Sequence, residues 1–175
     1  MDTEQAVTEI AAVMKKAGLV WLSWDGQRPA PAWFATVDGK YVVLADAADG
    51  AEQPLPGLAA AGFVNVVVPA KPATNRLAGW KATVRRLEPG SAEWTEAAQV
   101  LRTERLNAAE LDKQLERWRT EADIVVLEPT GEITESAGSY DDTPRAEAPV
   151  ATTATTRGKA PVTLHRPIRR RPRLS

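Results

Sequence analysis

The chain has 175 residues, a formal net charge of −1 and no cysteine; 43% of its residues are hydrophobic and 26% are charged. These values suit an ordinary globular chain and exclude disulfides, zinc–thiolate sites, thiol nucleophiles and a global field that would draw the chain to nucleic acid or an acidic membrane. The most apolar run, "AGFVNVVVPA", is too short to span a bilayer. The acidic start, "MDTEQAVTEI", lacks the basic and apolar regions of a signal peptide, so the expected location is cytoplasmic.

Asp2 to Gly18 reads as a helix, with Val7, Ile10, Ala11 and Met14 on one apolar stripe and Gly18 as its stop. "LVWLSW" follows as a strand closed by Asp25-Gly26, and "APAWFATV" as a second strand. Asp38-Gly39 joins the second strand to a third, "KYVVLADA", because Asp-Gly supplies the positive φ that a type I′ hairpin needs. "ADAADGAEQPLPGL" is irregular, and "LAAAG" adds a short helical turn. "FVNVVV" is a near-continuous apolar strand, expected to be covered on both faces. "RLAGWKATVRRLE" is a long strand with Ala78, Trp80, Ala82 and Val84 on one side. Two helices come next. Ser91 caps the first, whose stripe is Trp94, Ala97, Ala98 and Leu101; Asn107 caps the second, which presents Leu111, Leu115 and Trp118. "DIVVLEP" is a last strand, expected to stop at Pro129.

Hairpin signals with few βαβ crossovers predict an α+β, mainly β fold: an antiparallel β-barrel with flanking helices over residues 1–130. Residues 131–175 are rich in Ser, Thr, Ala and Pro and read as a disordered or extended tail. Its first part is acidic. Its end, Thr156 to Ser175, holds seven basic residues and no acid. Such a block suits an arm for an acidic protein or a nucleic acid.

The element order, with "PAWFATVDGKYVVL", "LAGWKATVRRLEPGSAEW", "ERLNA" and "ERW", resembles the pyridoxamine 5′-phosphate oxidase-like, FMN-binding split-barrel superfamily. The resemblance covers the first three-quarters of the chain. It implies a homodimer of six-stranded antiparallel split β-barrels with cofactor sites at the interface, holding FMN or, in some branches, the deazaflavin F420 or haem. It implies a possible oxidoreductase whose cofactor does the chemistry, and no catalytic side chains are identified.

In such a protein the stretch after the third strand usually carries cations for the flavin phosphate. Here it has Asp46, Asp49 and Glu52 and no Lys or Arg. Lys71 and Arg76 are the nearest cationic candidates, with Lys40 and Lys81 as weaker ones. Trp33, Phe34 and Trp80 are the candidates to stack on the ring. Each has a plain structural alternative: solvated charge for the cations, core or interface for the aromatics. The single histidine, His165, lies in the tail, so neither a two-histidine metal site nor an axial haem ligand in the barrel is expected, and no metal is assigned. Two functions stay open: a flavin-type oxidoreductase, or a dimeric barrel scaffold without cofactor whose basic arm engages an acidic partner.

Overall fold

Two Asp-Gly turns organise the first half of the sheet. The structure, a computed structural model, describes residues 3–46, 52–69, 78–104 and 111–135, the side chains of 111 and 112 excepted. Asp25 and Gly26 have φ of 46° and 72°, and Asp38 and Gly39 have 46° and 77°. Both residues of each pair sit in the left-handed region that a type I′ turn demands. The first turn leads from β1 (Val20–Ser23) towards β2 (Ala30–Ala32), with Leu22 opposite Ala30. The second joins β3 (Ala35–Val37) to β4 (Lys40–Asp46), with Val37 opposite Lys40, as the sequence predicts.

The remaining strands are β5 (Phe63–Val68), β6 (Ala78–Arg86) and β7 (Ala122–Glu135). The seven form one sheet in the order β2-β1-β5-β6-β7-β4-β3, with every strand pairing antiparallel. β2 and β3 lie at opposite edges of this sheet, yet only Trp33 and Phe34 separate them in the chain. The sheet must therefore curl until one bent segment can serve both edges. The sequence predicts "APAWFATV" as one continuous strand; the structure breaks it into two halves. Counted as one, they restore the six strands of a split barrel.

Helix α1 (Thr3–Met14) buries Ala6, Ile10 and Met14. The expected stripe is mis-phased: Val7 is 39% exposed, and the helix stops at Met14 rather than near Gly18. Helix α2 (Ala92–Glu104) buries the expected Trp94, Ala97, Ala98 and Leu101. The Trp94 amide donates to Ser91 Oγ at 3.1 Å, so Ser91 is the N-cap. Helix α3 (Leu111–Glu121) buries Trp118; Asn107 lies outside the described residues.

The apolar side chains divide into two cores. One fills the barrel, with Ile10, Met14, Leu22, Trp24, Tyr41, Val43, Val66, Trp80 and Leu127 among its members. The other lies between the sheet and the helices α2 and α3, with Val42, Leu44, Trp94, Leu101, Trp118 and Ile124. Alternate residues of β4 enter alternate cores, which is why the strand is buried from Tyr41 to Asp46. β5 was expected to be covered on both faces. Its pattern instead alternates, with Phe63 and Asn65 exposed and Val64 and Val66 buried.

β7 does not stop at Pro129 but runs to Glu135. Pro129 lies opposite Ala82 beside a register shift, the kind of position where a strand proline is tolerated. The Thr130 hydroxyl donates to the Lys81 carbonyl at 2.9 Å and helps to carry the pairing past the irregularity. Gly131 follows with φ +84°, and a Cβ there would stand 2.5 Å from Thr3 Cγ2 in α1. Gly131→Ala should therefore lower unfolding stability by about 1–3 kcal/mol, from backbone strain and displacement of α1. Urea denaturation checks this; an unchanged midpoint would contradict the account of this bulge.

Candidate functional site

The break in the bent strand is where two cores and one cleft meet. Trp33 packs against the helix-side core and Phe34 against the barrel core. The Trp33 ring lies 6.4 Å from that of Trp118, and the Phe34 ring meets Tyr41 edge-on at 5.9 Å. Both residues also line a cleft of about 860 Å³. Its other walls are Ala11 and Met14 at the end of α1, Lys15, Ala17 and Gly18 just after it, Ala35, Thr36, Gly39 and Tyr41 on the β3–β4 hairpin, and Glu104 at the end of α2. Most of this surface is apolar or aromatic. Burial pushes the Tyr41 phenol above its ordinary pKa, so it keeps its proton across the neutral range.

The acidic stretch after β4 has a structural role. A short parallel bridge sets Asp46 against Pro54: the Asp46 amide donates to the Gln53 carbonyl at 3.0 Å, and the Leu55 amide to the Asp46 carbonyl at 2.9 Å. The Gln53 amide donates to Asp46 Oδ2 at 3.1 Å. The side chain of Gln53 is buried in the strand break. Its Oε1 accepts from the Trp33 amide at 2.8 Å; its Nε2 donates to the Leu44 carbonyl at 2.7 Å and to the Trp33 carbonyl at 3.3 Å. Glu52 pairs with Arg117 of α3 and accepts from Trp118 Nε1 at 3.2 Å. Two of the three acids that would repel a phosphate are thus committed to holding the fold. Asp49 lies outside the described residues.

The sequence candidates separate in space. Trp33 and Phe34 come together at the cleft. Trp80 is completely buried in the barrel core, with its ring 5.5 Å from that of Tyr41, so the structure puts it in the packing and not at an open surface. Lys40 is 3.6 Å from Glu128; Lys81 is 3.4 Å from Glu132 and lies over the Phe63 ring. Lys71 and Arg76 lie outside the described residues. The sequence reading missed Met14, Lys15, Tyr41 and Glu104, because nothing in local spacing says that the end of α1 meets the β3–β4 hairpin. It also missed Gln53, whose only flag is a polar side chain in an otherwise apolar "QPLPGL" run. Among the described residues no cluster of His, Cys, Asp or Glu has metal-binding form, and no helix is long and apolar enough to cross a membrane.

Asp46 gives a pH signature. Burial holds its carboxyl above the usual carboxylate range; the Gln53 amide and Arg117 oppose this, while Glu121 and Asp123 add to it. The folded state therefore binds this proton more tightly than the unfolded state, and its stability falls as pH rises from about 4 through the native pKa. Asp46→Asn removes that penalty. Its stability relative to the wild type should rise between pH 4 and 8, as read from urea midpoints at each pH. A difference that is flat or falls with pH would contradict this account of Asp46.

No protein-family model matches the chain, and no curated protein matches its sequence. Solved structures do match. The conserved hypothetical protein Rv2991 from Mycobacterium tuberculosis is 14% identical with a TM-score of 0.52, over 70% of this chain and 79% of that one. The haem storage protein HutZ from Vibrio cholerae is 13% identical with a TM-score of 0.49, over 70% of this chain and 88% of that one. A FAD-binding protein from Mesorhizobium loti is 15% identical with a TM-score of 0.47, over 70% and 87%. At such identities the likeness is one of fold alone, and the Mycobacterium tuberculosis structure carries it. With the sheet closed by a bent strand, the chain has a split-barrel fold, shared with the Mycobacterium tuberculosis structure.

Proposed function

We propose that this chain binds a flavin-type cofactor, FMN or the deazaflavin F420, with the ring in the cleft at the strand break. The observation that supports this most is the cleft itself, about 860 Å³ with Trp33, Phe34, Tyr41 and Met14 in its walls. That size and lining suit a planar tricyclic ring. When bound, such a cofactor supplies hydride or electron transfer, which makes an oxidoreductase activity part of the proposal. The chain's own part is to hold the ring against Trp33 and Phe34, exclude water, and keep the Tyr41 proton at the wall.

The fit is better for the ring than for the phosphate. Among the described lining residues Lys15 is the single cation, and Glu104 lines the same cleft. A dianion wants more positive charge than that. The phosphate contacts are therefore assigned to Lys71 and Arg76, on the sequence reading alone. The homodimer that the resemblance implies belongs to the same proposal. Titration of FMN and F420 into the purified chain, followed by absorbance and fluorescence, tests it. Saturable binding is expected. Lys71→Ala and Arg76→Ala should each weaken it about ten- to a hundred-fold, the loss of one charge-assisted contact. Wild-type affinity in both variants would move the phosphate elsewhere, and no binding by the wild type would overturn the proposal in favour of a cofactor-free scaffold.

A second reading rests on the seven basic residues between Thr156 and Ser175. In this reading the arm engages a polyanion, an acidic protein or a nucleic acid, with an affinity that falls steeply as salt rises. Because β7 runs through Glu135, the comparison is the full chain against a chain ending there. The full chain should be retained on heparin at low salt and the shortened chain should not. Equal retention would remove the arm from this reading.

A further inference from the structure

Where the chain passes from one sheet edge to the other, Trp33 lies outside both β2 and β3, and its backbone groups bond to something other than a ladder strand. Gln53 provides them. A primary amide carries a donor and an acceptor on one rigid plane, so it can mimic the edge of a strand. Here Oε1 accepts from the Trp33 amide while Nε2 donates to the carbonyls of Trp33 and Leu44. Gln53 is itself held by two hydrogen bonds to Asp46, one from each backbone. The preceding residue acts on the ring of the same tryptophan: Glu52 accepts from Trp118 Nε1, and the Trp118 ring lies 6.4 Å from the Trp33 ring. The acidic segment thus grips Trp33 at its backbone and, through Trp118, at its side chain.

We infer that Gln53 is the positioning residue of the cleft: its amide fixes the Trp33–Phe34 step that forms the ligand-facing wall, so the segment that lacks phosphate-binding cations serves as the strut of the site. The ligand half of this inference rests on the cleft being the cofactor site proposed above. Glutamate at this position would accept from the Trp33 amide, but its carboxylate would face the carbonyls of Trp33 and Leu44 with no proton to donate. Methionine would match the length and remove all three of these hydrogen bonds.

Three variants test the inference: Gln53→Met, Gln53→Glu, and Val64→Ala as a control that weakens the barrel core at β5, away from the cleft walls. Two quantities are read. The first is hydrogen exchange at the Trp33 amide without ligand; the second is FMN affinity. Gln53→Met should speed exchange at Trp33 and weaken FMN binding, each about tenfold. Gln53→Glu should weaken FMN binding in the same direction and serves if the methionine variant does not fold. Val64→Ala should leave both quantities at wild-type values under conditions where it is folded. Wild-type protection of the Trp33 amide in Gln53→Met would overturn the strut. Loss of FMN affinity in Val64→Ala equal to that in Gln53→Met would reduce Gln53 to general stability and overturn the positioning role. No FMN binding by the wild type would overturn the cofactor reading and the ligand half with it, while Trp33 exchange would still decide the strut.

Discussion

A barrel strand that has to pair at both edges of its own sheet cannot stay straight, and in this chain that requirement falls on Ala30 to Val37. β2 pairs with β1 and β3 with β4, at opposite ends of the sheet. The step between them leaves Trp33 outside both strands. A backbone group left without a partner away from water costs on the order of 1–3 kcal/mol, so hydrogen bonds at this part-buried step favour the bend. The Gln53 amide satisfies the break from the side, and Asp46 holds the Gln53 backbone in place. Much of the site's geometry follows: Trp33 turns to the helices, Phe34 to the barrel, and the cleft opens where they part.

The division into two cores explains how a small chain accommodates its tryptophans. With a barrel interior alone, six of them would overfill the available volume, which favours placing several at an interface. The helices change this. Trp24 and Trp80 lie in the barrel, while Trp94 and Trp118 lie beneath α2 and α3. Trp33 bridges the break, and Trp21 is 40% exposed on the outer face of β1. Among the described residues the indole nitrogens of Trp80 and Trp94 have no hydrogen-bond partner, a cost set against the large apolar surface each ring buries. Arg85 adds a two-pronged ion pair to Glu93 between β6 and α2, at 2.6 and 3.0 Å; it is exposed and contributes little to stability.

The parts of this structure that could be read from the sequence are those set by a few neighbouring residues. Asp38-Gly39 specifies its hairpin because both positions need positive φ, and Ser91 caps α2 because its hydroxyl reaches the third residue on. The alternation in β6 placed Trp80 and Ala82 on one face. It could not say that the face was the closed core, and so Trp80 was a site candidate. The break at Trp33-Phe34 was hidden because apolar residues continue through it and no Gly or Pro marks the bend. Pro129 looked like a stop because a proline lacks the ladder donor, but a register shift accommodates it. The acidic run was read for the charge it lacks. Its contribution lies in long-range partners, with Glu52 reaching Arg117 and Trp118, and Gln53 reaching Trp33. No local pattern encodes such distances.

The central claim is that the strand break and the proposed cofactor cleft are one feature. A crystal structure of the chain grown with FMN tests it most directly. The account predicts Ala30–Ala32 and Ala35–Val37 on opposite sheet edges, the Gln53 amide between them, and the isoalloxazine ring in contact with Trp33 or Phe34. A continuous Ala30–Val37 strand on one edge, or a ring bound away from both side chains, would contradict it.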